Sequence, residues 1–241
     1  VLGYGVVQAT FNVLVPYVLF TFAYGEASAG FVGLFAALIP IATAVAANFM
    51  LPDEPLTLPK FIGLFVAFLG VAALLLSGDS GLSEGGRPLV AAGLALISVS
   101  AVGFAGAFGR RHAGEYEPVM MTTLQLSIAA AVLLVLMFGI EGAPSDVGTL
   151  GWVLIVEMAL FATAMPFFII YWLYERISAT NASLVGYMVP FIVLIGGVLI
   201  LDEQIQTGII LGGALVLAGI VLAERDSRRI VEEDVIERPG V

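Results

Sequence analysis

The chain has 241 residues, 60% hydrophobic and 12% charged, with no cysteine, one histidine and a formal net charge of −10. An ordinary soluble domain carries roughly twice that share of charge, so these residues cannot cover a water-facing surface. Disulfides, thiol chemistry and a multi-histidine metal centre are excluded, and the one lysine, Lys60 in LPKF, does not stand in a phosphate-binding glycine loop.

Eight apolar blocks follow one another, at 3–24, 28–51, 59–78, 88–110, 119–140, 150–174, 179–201 and 206–223. Each is near the ~20 residues that carry a helix across ~30 Å of hydrocarbon. The first carries Gln8 and Asn12, four apart and so on one helical face, and then Pro16. The second holds Pro40 and runs into the acidic pair Asp53-Glu54. Gly63 and Gly70 punctuate the third. After the polar stretch SGDSGLSEGGRP, the fourth contains Ser98 and the small-residue run GFAGAFG. The sixth places Glu157 five residues beyond Trp152 and reaches Pro166. Tyr187 and Pro190 lie in the seventh, which ends in Asp202-Glu203; Gly212 and Gly219 lie in the eighth. Residues 224–241 form a charged tail.

These blocks must be helices, because lipid offers no partner to unpaired backbone groups. They lack the alternation of a barrel strand. Their connections fall into two sets. Lys60, Arg110, Arg111, Arg176, Arg225, Arg228, Arg229 and Arg238 fall to one side, and Arg87 alone to the other. The positive-inside rule then puts the first side, with the C-terminus, in the cytoplasm.

Several polar residues are candidates for chemistry. A carboxylate at Glu157 costs roughly 2.5–3.5 kcal/mol at mid-membrane. It either serves a cationic substrate group or a coupling proton, or it reaches the outer surface. Gln8 and Asn12 either hydrogen-bond a polar substrate or tie helices together, and Asn48, Ser98, Ser100, Thr123, Gln125 and Ser127 have a weaker version of the same claim. Pro16, Pro40, Pro166 and Pro190 each interrupt a span, as hinges or as static kinks. GLSEG, from Gly81 to Gly85, fits a nucleophile-elbow pattern but sits in a loop with no strand before it, so a hydrolase reading has little support. No cofactor or metal constellation is present in the sequence.

The chain also repeats itself. Pro16 and Pro166, Tyr24 and Tyr174, Ser28 and Ser178, and Pro40 and Pro190 are each 150 apart. One residue then drops out, and Asp53-Glu54 matches Asp202-Glu203, as Gly63 and Gly70 match Gly212 and Gly219. The later copy has two more spans before this shared trio. A five-span repeat enters the membrane from opposite sides in its two copies, which is a recurrent plan of secondary transporters.

With these markers the sequence resembles the EamA-type members of the drug/metabolite transporter superfamily. The resemblance implies an all-α integral membrane protein, with eight transmembrane helices here from a ten-helix, five-plus-five inverted-repeat bundle lacking its first two. Residues 1–78 would be the last three helices of the first EamA-type repeat, residues 88–223 the complete second repeat, and 224–241 a cytoplasmic tail. It implies no enzyme but a multi-pass transporter of the cell membrane, exporting a small metabolite such as an amino acid or related compound by alternating access. The driving force would be a substrate gradient or a coupling proton, the resemblance places Tyr187 beside the cavity, and the flanks of the last helix of each repeat offer a face for a homodimer. The alternative reading is a non-transporting membrane scaffold or partner subunit. Polar residues gathered at one centre would favour transport, and polar residues scattered over the surface would favour the scaffold.

Overall fold

A computed structural model describes residues 1–27, 29–76, 87–140, 142, 147–187, 211 and 214–223. Among them the structure is helical, without strands. In chain order the helices are α1 (Leu2–Glu26), α2 (Ala29–Ala36), α3 (Ile39–Met50), α4 (Leu58–Leu76), α5 (Pro88–Arg111), α6 (Pro118–Ile140), α7 (Thr149–Tyr174), α8 (Ala179–Ser183) and α9 (Ala214–Ala223). Four of them, α1, α5, α6 and α7, are long and apolar enough to cross a membrane; α3, the first part of α4, and α9 are shorter apolar helices. Pro190, the pair Asp202-Glu203, Ser28, Gly212 and the tail 224–241 lie outside the described residues.

The expected single span at 28–51 is two helices. Proline has no N–H, and its ring clashes with the carbonyl four residues earlier. At Pro40 that carbonyl belongs to Ala36, where α2 stops. The chain closes a tight turn, with the Leu38 N–H donating to the Phe35 carbonyl at 2.8 Å. It restarts with Pro40 in the first turn of α3, where a missing N–H costs nothing. Pro40 is therefore a helix start rather than a mid-helix kink.

Pro16 and Pro166 are handled differently. Each follows a π-helical segment, Ala9–Leu14 and Met158–Ala164. The Val15 N–H donates to the Thr10 carbonyl and the Met165 N–H to Leu160, both five residues back. One extra residue in the turn moves the obstructing carbonyl away from the proline ring, so the helix continues through.

Helix α5 is the axis of the bundle. Apart from Val99, its buried residues are all small, among them Ala91, Ala95, Ser98, Gly103, Ala105, Gly106 and Gly109. Such a face lets backbones approach closely where lipid gives no hydrophobic drive between helices. Helix α3 uses this fully, since a methyl placed on Gly103 would stand 2.6 Å from the Ala42 carbonyl carbon. Helix α1 runs antiparallel to α5, with Gln8 beside Ala105 at one end and Glu26 paired with Arg87 at the other. In contrast, no residue in the most apolar stretch of α7 is buried, and 11% of that of α6 is. Faces this apolar are suited to lipid rather than water.

Helices α4 and α9 cross at a pair of glycines. The Cα–H direction of Gly63 points at the Gly219 carbonyl, and that of Gly219 at the Gly63 carbonyl; an added methyl would stand 2.8 and 2.6 Å from these oxygens. Gly63 also abuts Ala223, while Gly219 abuts Ala67, so the two helices run antiparallel. Leu64, Ala67, Val216 and Ala223 bury themselves around the crossing together with Tyr187.

Candidate functional site

A polar cluster forms where α1, α5, α6 and α7 meet. Gln8 is 0% exposed. Its Nε2 donates to the Ala105 carbonyl at 3.0 Å and to the Tyr4 hydroxyl at 3.2 Å. Those two acceptors fix the amide orientation and leave Oε1 buried without a hydrogen-bond partner among the described residues. Opposite, the Tyr171 hydroxyl donates to Gln125 Oε1, and Gln125 Nε2 is likewise buried and unpartnered. Tyr4 and the half-buried Asn12 approach the Tyr171 hydroxyl and join the two amides into one network. Gly109 makes room for it, since a methyl there would stand 2.8 Å from both Gln8 Nε2 and the Tyr174 ring.

Among the described residues no charged side chain hydrogen-bonds into this network. Its recognition chemistry is amide and phenol hydrogen bonding, strengthened by low local dielectric. Gln8 Oε1 offers an open acceptor and Gln125 Nε2 an open donor. A buried polar atom without a partner costs about 1–3 kcal/mol, so both atoms favour a polar visitor that supplies the missing bonds.

An apolar groove of about 420 Å³ lies further along α1 and α5, lined by Phe11, Val15, Leu96, Ile97, Ser100, Ala101 and Phe104. An aromatic ladder links it to the cluster. Phe11 meets Phe104 edge-on with centroids 5.0 Å apart, Phe104 stacks on Phe108 at 5.9 Å, and Phe108 stacks on Tyr4 at 5.4 Å. His112 and Tyr116 close the far side of Tyr4.

A second polar constellation sits at the same end of the bundle. Glu54, 4% exposed, accepts from the backbone N–H of Ala179 at 2.8 Å and of Thr180 at 3.3 Å, and from the Thr180 hydroxyl at 3.5 Å. Arg110 Nε lies 3.6 Å from the same carboxylate, just beyond hydrogen-bond length, and Arg110 Nη2 lies 3.6 Å from Asp53. Asn48 holds the loop that presents Glu54, through its Oδ1 and the Leu56 N–H at 2.8 Å. Ser178 caps α8 by accepting from the Asn181 N–H at 3.1 Å.

The residues singled out in the sequence thus part company. Gln8 and Asn12 enter the cluster. Ser98 is buried but donates within its own helix, to the Leu94 carbonyl at 2.9 Å. Tyr187 is buried and donates to the Leu64 carbonyl at 3.2 Å, joining α8's continuation to α4 away from the amides. Glu157 is exposed at the start of the π-helical segment of α7, with no hydrogen bond or ion pair among the described residues. Pro16 is buried and Pro166 exposed. Tyr4, Gln125, Tyr171, Glu54 and Arg110 complete the two constellations. Tyr4 shares a helical face with Gln8 and Asn12, a spacing visible in the sequence. Nothing local to Glu54 shows that it meets α8, 125 residues away.

Apolar helices of membrane length, lipid-type surfaces and a buried polar centre define a multi-pass helical membrane protein. The family model described as "EamA-like transporter family" matches residues 2–76 and 89–224. The chain belongs to that family, within the drug/metabolite transporter superfamily. It is 30% identical over 186 residues to the "Uncharacterized transporter YoaV" of Bacillus subtilis, covering 76% of this chain and 62% of that protein. An "Uncharacterized transporter" of Archaeoglobus fulgidus is 27% identical over 218 residues, covering 89% of this chain and 75% of the relative. The chain therefore spans about three-fifths to three-quarters of these relatives. A solved crystal structure shares the fold with a TM-score of 0.79 at 18% identity, over 95% of this chain and 77% of that one.

Proposed function

We propose that the protein is a secondary transporter that moves a small polar metabolite, an amino acid or related compound, across the cell membrane by alternating access. The observation that carries this reading is the amide–tyrosine cluster, with its open acceptor at Gln8 and open donor at Gln125. Polar groups gathered at one centre favour transport over a scaffold role. The apolar groove and aromatic ladder supply a path for a substrate with an apolar body and a polar end. Two halves standing upside down to each other can exchange an inward-open for an outward-open cavity. The antiparallel glycine crossing of α4 with α9 supports that relation, because it joins matched final helices of the two repeats. Export is the direction, with the C-terminus in the cytoplasm. Glu157, outside the cluster, is assigned to the coupling proton rather than to the substrate, and a homodimer remains part of the reading.

Reconstitution in proteoliposomes tests it. A panel of amino acids and related metabolites is screened with and without an imposed pH gradient. At least one compound is expected to move faster than in empty liposomes. With that compound, Glu157→Gln is expected to keep substrate exchange and lose the response to the gradient. Silence across the panel counts against transport, and an unchanged gradient response removes Glu157 from coupling.

A further inference from the structure

We propose that Glu54 is a gating residue, whose carboxylate latches shut the end of the bundle that holds the amide–tyrosine cluster. This rests on the transport reading and adds the part that must open. Three separate pieces of chain converge on one buried carboxylate: the loop after α3, the end of α5 through Arg110, and the start of α8 through Ala179 and Thr180. The carboxylate belongs to the first repeat, and both groups that meet it belong to the second.

The contacts differ in character, and that difference suits a latch. The two backbone N–H groups need an acceptor whenever they are buried, so the closed position is well defined. Arg110 meets it more loosely, with Nε at 3.6 Å, itself buried without a hydrogen-bond partner among the described residues, while the side chain as a whole is 28% exposed. The guanidinium keeps its second carboxylate, the exposed Asp53 at 3.6 Å from Nη2, when Glu54 leaves, so release does not strand its charge. Immediately beneath this contact lie the closures that a substrate must pass. Tyr174 is buried against Gly106 and Gly109, and Ala179 packs with Ala47, Leu51 and Ala107. An opening on this side has to part α8 from α3 and α5, and Glu54 joins all three.

The chain has no native cysteine, so single-cysteine reporters are clean. Ala182, 1% exposed, lies in α8 below the contact, while Ala129, 2% exposed, lies on α6 away from it. The whole chain, carrying Ala182→Cys or Ala129→Cys, is treated with a membrane-impermeant maleimide in inside-out vesicles. Glu54→Gln keeps the side-chain size and one acceptor oxygen but removes the charge. It is expected to raise the labelling rate at position 182 about tenfold and leave position 129 unchanged. Arg110→Gln is expected to raise it less, about two- to threefold. No rise at 182 overturns the proposal. An equal rise at both positions overturns it as well, since the contact would then hold the fold and not a gate. Transport is scored separately. A wild-type protein that moves nothing sinks the transport reading, whereas unchanged labelling in a protein that does transport sinks the latch alone.

Discussion

At the scale of single residues, the cluster turns on hydrogen bonds that have no local sequence signature. Tyr171 is an aromatic residue in an apolar run, MPFFIIYWLY, and reads as packing. Its hydroxyl nevertheless supplies the bond that orients Gln125. Tyr171→Phe removes that hydroxyl and keeps the ring. One neutral hydrogen bond is worth about 1 kcal/mol, so the variant is expected to raise KM about fivefold for a transported substrate with near-normal folded yield. Concentration-dependent uptake in proteoliposomes measures this, and an unchanged KM would take Tyr171 out of recognition. The amides were the legible half of the site. An amide in a lipid-length helix needs a partner, and its spacing gives its face. Which partner it finds depends on helices about a hundred residues away, as with Gln8 and Ala105. Glu157 shows the converse. Its depth in an apolar run was legible, but its direction was not, and it faces outward from the cluster.

At the scale of elements, prolines and glycines were plain in the sequence, yet their consequences differ from one another. Pro16 and Pro166 do not break their helices, because a π-helical turn precedes each, and the widened turns occupy equivalent places in the two copies. Pro40 breaks its helix outright. The sequence marks a missing N–H in every case. Whether the chain widens or stops depends on the neighbours that satisfy the freed carbonyl, and no periodicity reports that. Glycines divide in the same way. In α5, Gly103 lies against the backbone of α3, whereas Gly93 has nothing within 4 Å of an added methyl. Gly103→Ala must push backbone aside and is expected to cost about 1–3 kcal/mol, the scale of overpacking. Gly93→Ala is expected to be neutral or to gain up to about 1 kcal/mol from helix propensity. Thermal midpoints of the purified protein in detergent compare the two. Equal midpoints would mean that α3 and α5 are not packed as tightly as the structure has them.

At the scale of the whole molecule, the question is how two copies of one helical plan sit in one membrane. The bundle has two distinguishable ends. One gathers Tyr4, Glu54, Arg110 and the start of α8, and the other gathers Glu26 and Arg87. This grouping follows from antiparallel passage. Helix α1 runs against α5, and α4 runs against α9. If each of the expected spans crosses once, α4 and α9 are the third and eighth crossings, five apart, and an odd separation requires opposite directions. The same odd number puts the acidic pair of the first copy and that of the second on opposite faces. Asp53 lies on the basic face with Arg110, and Asp202, outside the described residues, is expected on the other. Single cysteines at the two positions decide the matter in intact cells and in inside-out vesicles, using an impermeant thiol reagent. Asp53→Cys is expected to react only in the inside-out vesicles and Asp202→Cys only in intact cells. Reaction of both from one side would mean an even number of crossings between the pairs. The copies would then stand parallel, and exchange of conformations between inverted halves could not be the transport mechanism.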